Sequence, residues 1–178
     1  MIESCPGDKF KSGLVTPSAG ETIKEEVILE KIVYLLLEEK GYQEADLVLE
    51  VPYALVMGSE TLQVQASILI QLEGKKVVLI KCGAGSIMAR ERAALALARL
   101  ITDYQIPLTI VTNSEDATLL NTINGETLEC GLPAILNKAE LLNRLPDLSY
   151  LPLPEKRRKM EKQILSAFEA LGMHGECH

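Results

Sequence analysis

Residues 62–86 read LQVQASILIQLEGKKVVLIKCGAGS, and the fold turns on how this stretch is parsed. From Leu62 the residues alternate. Leu62, Val64, Ala66, Ile68 and Ile70 fall on one face, and Gln63, Gln65, Ser67, Leu69 and Gln71 on the other. A period of two is that of a strand. Glu73-Gly74-Lys75 reads as a turn. Val77–Cys82 is then a second strand, apolar on both faces until Lys81, the pattern of a strand central in its sheet. A hairpin folded about Gly74 brings together positions whose numbers sum to about 148, so Ser67 faces Lys81. Lys81 and Gly83 share a face of the second strand.

Gly83-Ala84-Gly85-Ser86 breaks the chain before a helix from about Ile87 to Asp103. Its alanines (Ala89, Ala93, Ala94, Ala96, Ala98) let it lie close on a sheet. Pro107 opens a strand, Leu108–Val111. A right-handed crossover places it parallel to Val77–Cys82. Upstream, a helix over Glu21–Lys40 carries the apolar stripe Ile28, Ile32, Leu35 and Leu36, and Gly41 suits its C-terminal cap. Leu47–Val51 and Ala54–Met57 give strand signals, stopped by Gly58. Downstream, residues 115–122 read as a short helix, Glu126–Cys130 as a short strand and Pro133–Leu142 as a helix with proline in its first turn. Pro146, Pro152 and Pro154 mark a linker, followed by a helix over Glu155–Leu171. The division is an irregular arm (1–20), a domain (21–145), and a Pro-rich linker with a C-terminal helix (146–178). The class is α/β, a mixed sheet flanked by helices.

The 178 residues fit one domain, on a norm of about 100–200 residues. A composition of 47% hydrophobic and 24% charged residues excludes a disordered or collagenous chain. Five Tyr, two Phe and no Trp leave an aliphatic core and no base-stacking platform. A net charge of −7 repels polyanions unless bases cluster locally. The four cysteines contain no CxxC, and reduced thiols are expected. No basic start leads into an apolar run, and no stretch reaches the roughly 18–20 apolar residues of a membrane span. The expected setting is soluble and cytoplasmic, with no membrane partner.

The hairpin resembles that of PD-(D/E)xK nucleases. In those, one strand offers an Asp and the next a carboxylate with a Lys two residues on, and the carboxylates hold Mg²⁺. The likeness extends over Glu25 to Asn143, which is similar to the N-terminal domain of type I restriction enzyme R subunits. The family's opening helix, roughly EE-x-x-R-Q, corresponds to Glu25-Glu26-Val27-Ile28-Leu29-Glu30, followed by Gly41-Tyr42. Its Asp-bearing strand corresponds to Ala66-Ser67-Ile68-Leu69-Ile70, and its Glu-Cys-Lys strand to Val77–Ala84. Its "p-x-x-vvTNg" strand corresponds to Pro107–Asn113. The resemblance implies a restriction-endonuclease-like fold and, where the motif is intact, Mg²⁺-dependent endodeoxyribonuclease activity in restriction-modification.

This sequence departs from the pattern at the catalytic positions: Ser67 stands for Asp, Lys81 for the second carboxylate and Gly83 for Lys. Leu29-Glu30 replaces Arg-Gln. A hydroxyl and an ammonium do not hold a hard divalent cation. The expectation is a degenerate nuclease with no catalytic residues, metal or other cofactor, which binds nucleic acid or a protein partner. One alternative is an Mg²⁺-dependent nuclease using relocated acids from among Glu25, Glu26, Glu30 and Glu91. Another is a structural homo-oligomer or adaptor. Exchanging carboxylates for Lys81 suggests an anion site, with Gly85, Ser86, Arg90 and Arg92 as further candidates. Lys156-Arg157-Arg158-Lys159 reads as a solvated helix start, and His174, Cys177 and His178 as part of a frayed tail rather than a metal site.

Overall fold

A computed structural model describes residues 25–173, with side chains as far as residue 170. The expected arm at 1–20, residues 21–24 of the first helix and the His174/Cys177/His178 tail lie outside the described residues.

Six strands form one sheet in chain order: β1 (Leu47–Met57), β2 (Glu60–Leu72), β3 (Lys75–Cys82), β4 (Leu108–Thr112), β5 (Ala117–Asn121) and β6 (Thr127–Cys130). Neighbours are antiparallel except β3 and β4, which run parallel from Val78↔Leu108 to Cys82↔Thr112. Among the described residues the α-helices are α1 (Glu25–Tyr34), α2 (Met88–Leu100), α3 (Lys138–Arg144) and α4 (Glu155–Met173). The expected mixed α/β class is thus the observed one, with β3 central and β4 parallel beside it.

Apolar side chains cover both faces of the sheet. On one, Ile28, Ile32 and Leu36 pack with Ile68, Ile70, Ile80, Ile110 and Leu141. On the other, Ala96, Leu97 and Leu100 of α2 and Leu165 of α4 pack with Leu69 and Leu79. α1 gives way after Tyr34 to a π-helical turn, Leu35–Glu39, and Gly41 follows at φ +79°. Tyr42 donates from its buried hydroxyl to the Leu136 carbonyl at 2.9 Å. Lys138 on α3 reaches Asp46 at 2.7 Å, so the segment after α1 is pinned to α3. Burial would raise the Asp46 carboxyl, but Lys138 and the Gln43 N–H outweigh it and hold the group below its ordinary value.

Four expectations need correction. Leu47–Val51 and Ala54–Met57 are one strand. Proline at position 52 does not interrupt β1 because β1 is an edge strand, where a missing N–H need not break a ladder. Residues 117–121 are a strand, β5, not a helix. Flanked by β4 and β6 and buried on both faces, β5 has no alternation to display. Residues 133–142 are not one helix. A 3₁₀ turn at Leu132–Ala134 precedes α3, which Asn137 and Glu140 open with a reciprocal capping box. Finally, β2 does not keep one apolar face. Val64 and Ala66 pack on the α2 side and Ile68 and Ile70 on the α1 side, the change falling at Ser67. Across β1 from that point, Glu50 has φ +51° and interrupts the ladder between Leu49↔Ile68 and Val51↔Ala66.

Of the cysteines, Cys82 is free and buried, and burial pushes its thiol up to about 11. Cys130 is disulfide-bonded, against the expectation of reduced thiols throughout. Among the described residues no helix is long and apolar enough to cross a membrane.

Candidate functional site

Where β2 changes face, the hairpin stops pairing regularly. The β2–β3 register holds through Ile68↔Ile80, whose numbers give the expected sum, and then ends. Beyond it, the Cys82 N–H is taken by the Ser67 hydroxyl at 2.9 Å, a side-chain bond in place of a ladder bond. The Lys81 ammonium donates to the Gln65 carbonyl, also at 2.9 Å. The strands part here, and a cleft of about 510 Å³ opens between them and the start of α1. Glu25, Glu26 and Leu29 line it from α1, Glu50 from β1, Gln65 and Ser67 from β2, and Lys81 from β3.

Ser67 and Lys81 therefore meet in one cleft, as the hairpin geometry requires, and Glu25 and Glu26 join them. Glu30 is exposed on α1 outside the lining, and Glu91 on α2 is likewise not part of it. Gly83 is buried and faces the Arg90 guanidinium instead of the cleft. Gly85 and Ser86 are exposed in the turn before α2, where the Ser86 hydroxyl accepts from the Ala89 N–H at 3.4 Å. Arg92 is exposed and does not reach the cleft. The anion candidates are thus divided, Lys81 in the cleft and Gly85, Ser86 and Arg90 at the turn.

Glu50 and Gln65 escaped the sequence reading. Glu50 is a lone acid in an apolar run, and nothing in its neighbourhood announces a left-handed backbone. Gln65 acts through its main-chain carbonyl, which carries no residue-type signal. With Glu50 included, the lining holds three carboxylates and one ammonium.

Residues 24–133 match the family described as type I restriction enzyme R protein N terminus. The chain belongs to that family. Among curated proteins and solved structures, none matches it. In this R-protein N-terminal domain the match covers α1 through β6 and stops before α3, so the cleft lies wholly within the matched region.

The family pattern implies Mg²⁺, and the residues at its three catalytic positions do not fit it. A hydroxyl already accepting the Cys82 N–H, a cationic ammonium and a glycine stand at the three positions. A hard divalent cation selects oxygen anions and is repelled by an ammonium. Among the described residues, no three His, Cys, Asp or Glu side chains are grouped so as to hold a metal ion.

Proposed function

We propose that this R-protein N-terminal domain is a non-cleaving, nuclease-like domain that acts by binding, with neither metal nor other cofactor. The observation that carries the reading is Lys81. Lys81 stands at the sequence position the family pattern gives to a metal-binding carboxylate, and its ammonium donates to the Gln65 carbonyl at 2.9 Å. The partner is a nucleic acid or a protein; a homo-oligomer or adaptor role would use the cleft as an interface. The test is incubation of the purified protein with plasmid, linear and single-stranded DNA in Mg²⁺ or Mn²⁺. No cleavage above a buffer control is expected, and reproducible cleavage overturns the reading.

A second reading has its own observation: Glu25, Glu26 and Glu50 line the same cleft as Lys81. On that reading the carboxylates have moved and the domain is still an Mg²⁺-dependent nuclease. Cleavage abolished by Glu25→Ala, Glu26→Ala or Glu50→Ala would establish it. Salt-dependent DNA binding without cleavage separates nucleic-acid binding from the adaptor role, since phosphate contacts release counterions.

A further inference from the structure

Arg90 stands in the first turn of α2, outside the cleft, with its guanidinium in space that a side chain at position 83 would need. A Cβ on Gly83 would overlap Nη1 and come within 2.6 Å of Cζ and 3.1 Å of Nε. Gly83 cannot readily yield, because its N–H is bonded to the Thr112 carbonyl at 3.1 Å. The fit of arginine on glycine therefore depends on both residues. It is also unfinished. Nη1 is buried and has no hydrogen-bond partner among the described residues. A buried donor left without an acceptor costs free energy, more so when charged. The rest of the side chain is half-buried, and Nη2 lies toward Gly85, which is exposed at φ +86° beside exposed Ser86. A cation this close to a helix N-terminus is also opposed by the helix dipole. An oxyanion on the Gly85 side of the guanidinium, where Nη2 lies, relieves the dipole penalty, and a guanidinium offers it a fork of donors.

We propose that Arg90, seated on Gly83, is a binding residue for a phosphate group. It extends from α2 into the place where the family pattern puts a strand lysine. The inference rests on the reading of this domain as one that binds without cutting, and it names the chemistry of the ligand. The phosphate can be free or part of a nucleic-acid backbone.

The test is calorimetric titration of the full chain with inorganic phosphate and, separately, with a short DNA duplex. Wild type is compared with Arg90→Gln, Arg90→Lys and Gly83→Ala, each checked for folding by its circular dichroism melt. Wild type should bind, and Arg90→Gln should weaken binding at least about tenfold. Arg90→Lys keeps the charge without the fork and should fall between. Gly83→Ala should weaken binding although Arg90 is retained, because the methyl group displaces the guanidinium. Duplex binding that weakens with salt and is competed by phosphate identifies a nucleic-acid source, whereas phosphate binding alone identifies free phosphate. Equal affinities for wild type and Arg90→Gln, or no binding of either probe by wild type, overturn the proposal. DNA cleavage in Mg²⁺ would overturn the non-cutting reading instead, and the Arg90 dependence would still be read from affinities measured without metal.

Discussion

The fold treats two of this domain's charge clusters in opposite ways. Between α2 and α4, Arg99 and Glu161 meet at 2.8 Å with side chains 6% and 1% exposed. Arg99 also donates from Nε to the Thr122 carbonyl at 2.7 Å, and Arg157 adds a second cation to Glu161 at 3.1 Å. Burial lowers the Arg99 value and Glu161 opposes that fall, as expected of a desolvated charge held by its partner. In the cleft, on the α1 side, Glu25, Glu26 and Glu50 are exposed, and among the described residues none of them forms an ion pair. The contrast separates charge that belongs to the architecture from charge the architecture leaves uncommitted. A buried ion cannot be left unpaired, so Arg99 and Glu161 are explained by each other. Exposed carboxylates that line one cleft with a lysine have no such internal account.

Removing one member of the buried pair should have the largest effect. Glu161→Ala should cost about 3–5 kcal/mol, because Arg99 would remain buried without its counter-ion. Urea denaturation measures it. Replacing both partners with apolar residues, Arg99→Met with Glu161→Leu, should cost less than the single change. A single change costing under about 1 kcal/mol would mean that the pair is not the clamp between α2 and α4.

An intermediate case is Asp46 with Lys138, whose side chains are 15% and 26% exposed. Asp46→Asn should cost about 1 kcal/mol at neutral pH. The Asp46 carboxyl lies below its ordinary value in the folded protein, so its contribution is complete above the unfolded value of about 3.9. It is lost as pH falls through the depressed folded value. The stability difference between wild type and Asp46→Asn should therefore narrow on acidification. A difference that widens would reverse the assignment.

The hairpin, the parallel strand and the helix between them were legible because each has a local cause. A glycine turn fixes the register, and an alanine-rich segment after a short break must cross over. β5 was not legible: Ala-Thr-Leu-Leu-Asn is apolar on both faces, and a short apolar run carries no period to separate strand from helix. The start of α3 could have been read, because Asn137 with Glu140 has the spacing of a capping box. In the cleft, Ser67 and Lys81 followed from pairing arithmetic, and Glu25 and Glu26 from the helix that borders the family's site. Glu50 and the Arg90–Gly83 contact depend on how strands twist and where a helix begins, which no spacing rule supplies.

Glu50 links the two halves of the comparison. Its φ of +51° is unfavourable for a residue with a Cβ, by roughly 1–2 kcal/mol in a left-handed conformation. Glu50→Gly removes that penalty but adds chain entropy to the unfolded state. The net expectation is a gain of about 0.5–1 kcal/mol. A loss on the same scale would show that the carboxylate itself supports the fold, and Glu50 would then belong with the architectural charges.

The smallest effect is expected at the mouth of the cleft. Glu25 and Glu26 are exposed on α1 and form no ion pair among the described residues, so neutralising either one loses a few tenths of a kcal/mol at most. Against that loss, each carboxylate shares the cleft with two others and a single ammonium, and removing one relieves like-charge repulsion. The two terms oppose each other at exposed positions, where solvent screens both. Glu25→Gln and Glu26→Gln should each leave stability within about 0.5 kcal/mol of wild type, and the difference should shrink further in high salt. Thermal melts at low and high ionic strength decide it. A drop of more than about 1 kcal/mol in either variant would place these carboxylates with Glu161, as parts of the structure, and would remove the reason to regard the cleft as charge left over for a partner.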